Sequence, residues 1–304
     1  MLAFIAPGQG AQAPGMLAPW IEDPAAKSLL SKWSDEINLD LVRLGTTADA
    51  EEIKDTANAQ PLIVAAGLLG ARALSSTNKF SFVAGHSVGE ITAAALAGVI
   101  SEIDAMKLVR ARGIEMAKAA AVSPAGMAAV LGGDREVVLR AIADLGLVAA
   151  NDNGGGQIVA AGDLDALAQL APEGARVRAL AVAGAFHTSY MQPAVEPLRS
   201  LAASLEVSDP TCGVISNKDG AVVRNGREVL DRIVSQISNP VRWDLCMTTL
   251  AENISGALEV PPAGTLVGLL KRAVPVVETF ALKSVADLTL ADEFALRHNQ
   301  EVSN

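Results

Sequence analysis

The chain has 304 residues with a net charge of −10 and is half hydrophobic, a balance that argues against nucleic acid or an anionic membrane surface as partner. No apolar run reaches the ~18 residues needed to span a bilayer. Cys212 and Cys246 lack C-x-x-C spacing and there is no H-E-x-x-H or clustered His/Cys set, which predicts reduced thiols in a cytoplasmic protein and no metal. Aromatic residues make up only 3%, so the core must be built mainly from Ala, Val, Leu and Ile, as suits helices on a buried parallel sheet.

Met1–Ala6 is apolar and has no basic residue beyond the α-amino group before Lys27, so it reads as a first strand rather than a signal peptide. It ends at Pro7-Gly8-Gln9-Gly10, a tight turn whose glycines let backbone approach a ligand. Residues 1–124 go on to alternate strand and helix signals. Within them, Phe80-Ser81-Phe82-Val83-Ala84 runs into Gly85-His86-Ser87-Val88-Gly89, and the Ala-rich helical stretch Ile91–Ile100 follows at once. Strand, G-x-S-x-G and helix in that order make a nucleophile elbow: the two glycines allow the sharp turn and Ser87 is pushed out at the helix amino end. The N–H of Val88 is one expected oxyanion donor, and Gln9, in the turn after the first strand, fits as the second.

A break at Ser123-Pro124-Ala125-Gly126 opens a segment with its own rhythm. Met127–Leu131 reads as a strand, 134–145 as a helix capped by Asp134, and 148–151 and 157–161 as strands. A second helix over 163–170 and a strand over Arg176–Val182 follow. This β-α-β-β-α-β order predicts a ferredoxin-like unit over 125–185 inserted in a larger α/β subdomain formed by 1–124 and 186–304. Asn151–Gly156 is Gly-rich but lacks the P-loop Lys-Ser/Thr, so it reads as a hairpin turn that could line the cleft between the two units.

A serine hydroxyl needs a base, and the chain has three histidines. His86 is next to Ser87 on the elbow, where adjacent side chains diverge. His298 lies in the polar stretch 291–304, expected to fray. His187, in Gly184-Ala185-Phe186-His187-Thr188, remains as the expected base.

Five motifs now stand in one order: Pro7-Gly8-Gln9-Gly10, Gly85-His86-Ser87-Val88-Gly89-Glu90, Arg112-Gly113, Gly184-Ala185-Phe186-His187 and Asn239-Pro240-Val241-Arg242-Trp243. Together they resemble the bacterial malonyl-CoA:acyl carrier protein transacylases of type II fatty acid synthesis, relatives of polyketide synthase acyltransferase domains. The resemblance runs to about Leu282. It departs from the family at Ala11, where Ser is frequent, at Arg242, where many members have Gln, and at Pro261-Pro262-Ala263-Gly264, which replaces G-P-G.

The resemblance implies an α/β-hydrolase-like large subdomain with a parallel sheet, malonyl-CoA and holo-acyl carrier protein as partners, and no cofactor. It agrees with Gln9 as oxyanion donor. It implies that Arg112, before Gly113, binds the malonyl carboxylate; by composition alone Arg110 is its rival, but on a helix only one of the two can point inward. Phe186 resembles the ring that excludes an α-methyl branch, and a backbone carbonyl near 239–242 is implied to orient His187 in place of an acid. An acidic carrier protein would need a local basic patch, for which Lys271-Arg272, Arg176, Arg178 and Lys218 are candidates. A serine hydrolase would instead need an aspartate among Asp104, Asp144 or Asp163. A non-catalytic docking module would leave the Ser, His and Arg set without use. A stand-alone acyltransferase of a polyketide pathway shares the whole pattern.

Overall fold

The computed structural model describes residues 1–75 and 80–299. Its strands, in chain order, are β1 (Leu2–Ala6), β2 (Phe82–Gly85), β3 (Ala125–Gly132), β4 (Val148–Asp152), β5 (Gln157–Asp163), β6 (Ala175–Ala179), β7 (Gly213–Ile215), β8 (Val222–Val223), β9 (Val241–Arg242), β10 (Gly256–Glu259) and β11 (Glu278–Ala281). Six of them form one sheet in the order β11-β10-β1-β2-β7-β8, parallel except for the β7–β8 pair. Strands β1, β2 and β10 are buried along their whole length, as expected for apolar runs covered on both faces by helices. No described helix is long and apolar enough to cross a membrane.

The chain walks from β1 to β2 and β7 on one side, then to β10 and β11 on the other, so the strand order reverses beside β1. Ligands of open α/β sheets bind at the carboxyl ends of strands near such a reversal. The register sharpens this: Ala6 of β1 is level with Gly85 of β2. The Pro7-Gly8-Gln9-Gly10 turn and the elbow therefore leave the sheet side by side.

The second sheet has the order β6-β3-β5-β4-β9. Its first four strands pair antiparallel and reproduce the ferredoxin-like arrangement read from 125–185. The helices Arg135–Asp144 and Leu164–Gln169 begin where Asp134 and Asp163 accept backbone N–H bonds, so each starts at a side chain that satisfies its orphan donors. Two features differ from expectation. The last strand stops at Ala179 rather than Val182. A fifth strand, β9, comes from the Asn239–Trp243 motif and pairs parallel with β4, so a segment far along the chain closes this sheet's edge.

His298 also departs from the fraying tail read in the sequence. It sits in the helix Leu288–Asn299, is 7% exposed, packs its ring at a tilt against Phe294 and bonds Ser255 and Glu278. The rest of that tail, 300–304, lies outside the described residues.

Candidate active site

Both residues of the expected catalytic pair have left-handed backbones, with φ of 53° at Ser87 and 61° at His187. Non-glycine residues adopt that region rarely and at a cost, and such strain clusters at functional sites. At the elbow the cause is steric. A Cβ on Gly85 would run into the backbone of Gly89, and one on Gly89 into the carbonyl of Ala6. The strand, the turn and the following helix Gly89–Leu96 can approach this closely only through bare backbone.

Ser87 Oγ lies 2.7 Å from His187 Nε2, and His187 Nδ1 donates to the main-chain carbonyl of Gln236 at 2.8 Å. With Nδ1 protonated, Nε2 carries the lone pair that faces the hydroxyl. The carbonyl that meets His187 is thus that of Gln236, three residues before the 239–242 stretch near which it was expected. The reason is local: Gln236 ends the helix Gly226–Gln236, where the last carbonyls have no full set of intrahelical partners. Asn239 contributes an N–H to the same carbonyl at 3.2 Å, and Arg242 pairs with Asp244 at 2.8 and 2.9 Å. The aspartates a hydrolase would use are elsewhere: Asp104 accepts the hydroxyl of its own helix cap Ser101, Asp163 accepts two N–H groups at the start of a helix, and Asp144 ends a helix of the small sheet.

Arg112 is 1% exposed in the helix Glu102–Ala120. Its guanidinium donates to Gln60 Oε1 at 2.8 Å, to Gln236 Oε1 at 2.9 Å and to Ser87 Oγ at 3.3 Å, while its Nε has no partner. Arg110, two residues away, turns outward to the carbonyl of Ala57 at 2.7 Å. The helix therefore separates the two arginines as the 100° step requires.

His86 points away from the hydroxyl and meets Asn153 Oδ1 at 2.8 Å through Nε2. The N–H of Ser87 is taken by Asn217 Oδ1 at 2.8 Å, and Val88 follows it as the cap of the helix Gly89–Leu96. Gly8 lets the β1 turn lie against the elbow; a Cβ there would come within 2.8 Å of the His86 carbonyl oxygen. The Gln9 side chain spans to Thr56 and Gln60 at 3.3 and 3.4 Å, joining the turn to the arginine's own partner.

Above Ser87 opens a cleft of about 280 Å³. Gln9, Ser87, His187 and Phe186 line it on one side, and Met127, Asn153 and Val159 of the smaller sheet line it on the other. The Gly-rich hairpin does contribute to it, through Asn151 and Asn153. Of the basic candidates, Arg272 reaches this lining; Arg176, Arg178 and Lys218 are exposed elsewhere.

The electrostatics are unusual for a base. Burial, the Arg112 charge and His86 together push His187 down to about 3, against the carbonyl bond from Gln236. The imidazole is therefore neutral across the physiological range, and the near-neutral titration expected of a catalytic histidine does not belong to it. Arg112 itself is pushed down to about 10 by burial but keeps its charge. The Glu90 carboxyl is raised to about 7 by burial.

The acyl transferase domain family matches residues 3–294. The chain belongs to the acyl transferase family. It is 53% identical to the malonyl CoA-acyl carrier protein transacylase of Mycobacterium tuberculosis over 97% of this chain and 99% of that one. It is 32% identical to the Escherichia coli protein of the same name, over 96% and 98%. The crystal structure of the M. tuberculosis enzyme superposes with a TM-score of 0.93 at 52% identity, over 96% of this chain and 99% of that one. A malonyl-transacylase solved in complex with a type II polyketide acyl-carrier protein superposes at 0.89 with 31% identity, over 96% and 99%.

Sequence reasoning on this acyl transferase missed Gln236, Asn217 and Gln60. Only Gln236 left a trace, as the last polar residue of a helix before the Ser238-Asn239-Pro240 stop signal.

Proposed function

We propose that this acyl transferase is a malonyl-CoA:acyl carrier protein transacylase, moving malonyl from CoA to the phosphopantetheine thiol of a holo-acyl carrier protein in support of fatty acid synthesis. One observation carries the reading: a fully buried arginine lies 3.3 Å from the same hydroxyl that a histidine approaches at 2.7 Å. A hydrolase of neutral esters has no use for a buried cation beside its nucleophile, whereas a malonyl group brings a carboxylate that needs one. Arginine offers it a planar fork.

His187 takes the Ser87 proton as Oγ attacks the thioester carbonyl. The N–H groups of Gln9 and Val88 face the oxyanion, and CoA leaves as the thiol after the imidazolium returns the proton. The carrier's thiol then attacks the malonyl-Ser87 ester, with His187 again as base. Gln236 holds the imidazole in the required tautomer. A bound malonyl carboxylate offsets the Arg112 charge that depresses His187, so the correct substrate raises the basicity of its own catalyst. Phe186, buried beside His187, closes the space an α-branch would need. Both thioesters have similar transfer potential, so no cofactor is required.

Residues 125–185 serve as a small subdomain, completed by β9, against a large one formed by 1–124 and 186–304, with the cleft between them. Arg272, with Lys271 beside it, is the cation best set to meet the phosphates of CoA or an acidic carrier surface. The two buried cysteines fit a reducing cytoplasmic setting. Intact-mass analysis after mixing with malonyl-CoA tests the reading. A malonyl adduct on Ser87 that passes to added holo carrier protein is expected; free malonate released without any carrier would refute it.

A further inference from the structure

Glu90, the second residue of the helix that follows the elbow, is 3% exposed. The other buried acidic side chains have evident partners: Asp152 pairs with Arg135, and Glu259 accepts the first N–H groups of a helix. Glu90 meets no cation directly. One oxygen accepts the Asn217 N–H at 2.6 Å and the other accepts Gln236 Nε2 at 2.6 Å.

Those two neighbours hold the rest of the site. Asn217 accepts the Ser87 N–H through Oδ1 and donates to the Gly85 carbonyl at 2.7 Å, clamping the strained elbow from both sides. Gln236 Nε2, besides Glu90, donates to Asn217 Oδ1 at 3.0 Å and to the Ser87 carbonyl at 3.1 Å. Three acceptors on that side force the amide nitrogen there, which leaves Oε1 turned to the Arg112 guanidinium. The main chain of the same residue orients His187.

We propose that the ionised Glu90 carboxylate is the positioning residue of this site: through Gln236 and Asn217 it fixes the orientation of His187, the aim of Arg112 and the turn that carries Ser87. The chemistry rests on acceptor count. Both neighbours present N–H donors, so a carboxylate, which only accepts, satisfies both. A proton on either oxygen sets donor against donor. The Gln236 amide can relieve that only by turning over, and it then aims its NH₂ at Arg112. The charged or titratable groups around Glu90 are Arg112 from one helix, Arg232 from a second and the Cys246 thiol from a third; Arg232 is already paired with Asp219 and Glu228. Burial outweighs the two arginines and raises the carboxyl to about 7, whereas His187 titrates near 3. An acid limb near neutrality therefore reports Glu90.

This inference builds on the transacylase reading, so its test uses a probe that needs only Ser87 and its base. The rate of Ser87 labelling by a fluorophosphonate is followed by intact mass from about pH 5 to about pH 9. The unmodified protein should lose about tenfold per pH unit below about 7. Glu90→Gln copies the protonated state, so it should label at least about tenfold more slowly at pH 8 and show no acid limb. Glu90→Asp keeps an acceptor-only carboxylate and should retain the limb with a moved midpoint. A wild-type profile without a limb near 7, or Glu90→Gln with the wild-type rate and limb, overturns the proposal. If Glu90→Gln does not fold, Glu90→Asp decides alone: an unchanged rate and midpoint overturn it. Malonyl-CoA is run in parallel. Failure of that substrate to load the unmodified protein would sink the transacylase reading while the phosphonate profiles still judge Glu90.

Discussion

Truncating Arg112 to alanine should separate malonyl from acetyl transfer. In the resting site the guanidinium is spoken for by Gln60 and Gln236, and it touches Ser87 Oγ only at 3.3 Å. That last contact is the weakest and the one a substrate carboxylate would replace. With Arg112 gone, the malonyl carboxylate enters a desolvated pocket without a partner, a loss of about 2–5 kcal/mol for one side of a buried charged pair. That corresponds to roughly 30- to 4,000-fold in kcat/KM for malonyl-CoA. Acetyl-CoA brings no carboxylate. It gains instead from the removal of one of the charges that hold His187 down, so its slow reaction should be unchanged or faster. Arg112→Lys should recover part of the malonyl loss, because an ammonium keeps the charge but not the fork. The assay is the ratio of malonyl to acetyl kcat/KM in the three proteins, with far-UV circular dichroism to confirm folding. Equal losses for both acyl groups would refute the reasoning and leave Arg112 as a buried strut between Gln60 and Gln236.

Ser87→Ala should abolish the malonyl adduct and transfer with the fold intact, since Gly85 and Gly89 meet the elbow's steric demands; an adduct that persists would refute the assignment. His187→Ala should slow acylation by about 10²–10⁴-fold, while His86→Ala, which loses the Asn153 bond and the edge contact with Trp243 but no contact with Ser87, should cost far less; comparable losses in single-turnover acylation would reassign the base. Stability should carry the signature of the buried pair. His187 is depressed from 6.5 to about 3 in the fold, so it alone makes stability fall as pH drops through that interval. Glu90 is raised from 4.5 to about 7, so it alone makes stability fall as pH rises through its own. The two oppose each other between 4.5 and 6.5. Glu90→Gln removes one side, and urea titrations should then show stability rising by about 3 kcal/mol across that window relative to the parent. Parallel pH profiles for the two proteins would refute the opposition.

The sequence carried what local pattern can carry. Gly85 and Gly89 announce the elbow because a turn this tight leaves no room for a Cβ, and that constraint is written within five residues. The inserted unit was legible because Asp134 and Asp163 cap its helices and its strands alternate with them at short range. The choice of His187 came from scarcity: with three histidines, one on the elbow and one near the end, little else was possible. Even so, the dismissal of His298 as part of a frayed tail was wrong in detail, because its bonds to Ser255 and Glu278 depend on segments 43 and 20 residues back in the chain.

What the sequence hid is the polar layer beneath the reaction. Gln236, Asn217 and Glu90 sit in unremarkable local contexts: a helix end, a strand-end loop and the first turn of a helix. Their roles arise only when positions 127 to 149 residues apart are brought within 2.6 to 3.1 Å. The same layer explains why the motif 239–242 pointed only near the right place. The Asn-Pro pair stops the helix that begins at Gly226, and stopping it is what exposes the Gln236 carbonyl to His187. The motif marks the cause and the functional atom lies three residues upstream. A buried arginine beside a buried imidazole would by itself be a poor base site, since its charge opposes the proton the neutral imidazole must take. The acid that makes the arrangement tolerable is Glu90, the last residue of the elbow motif, one helical turn from the serine it supports.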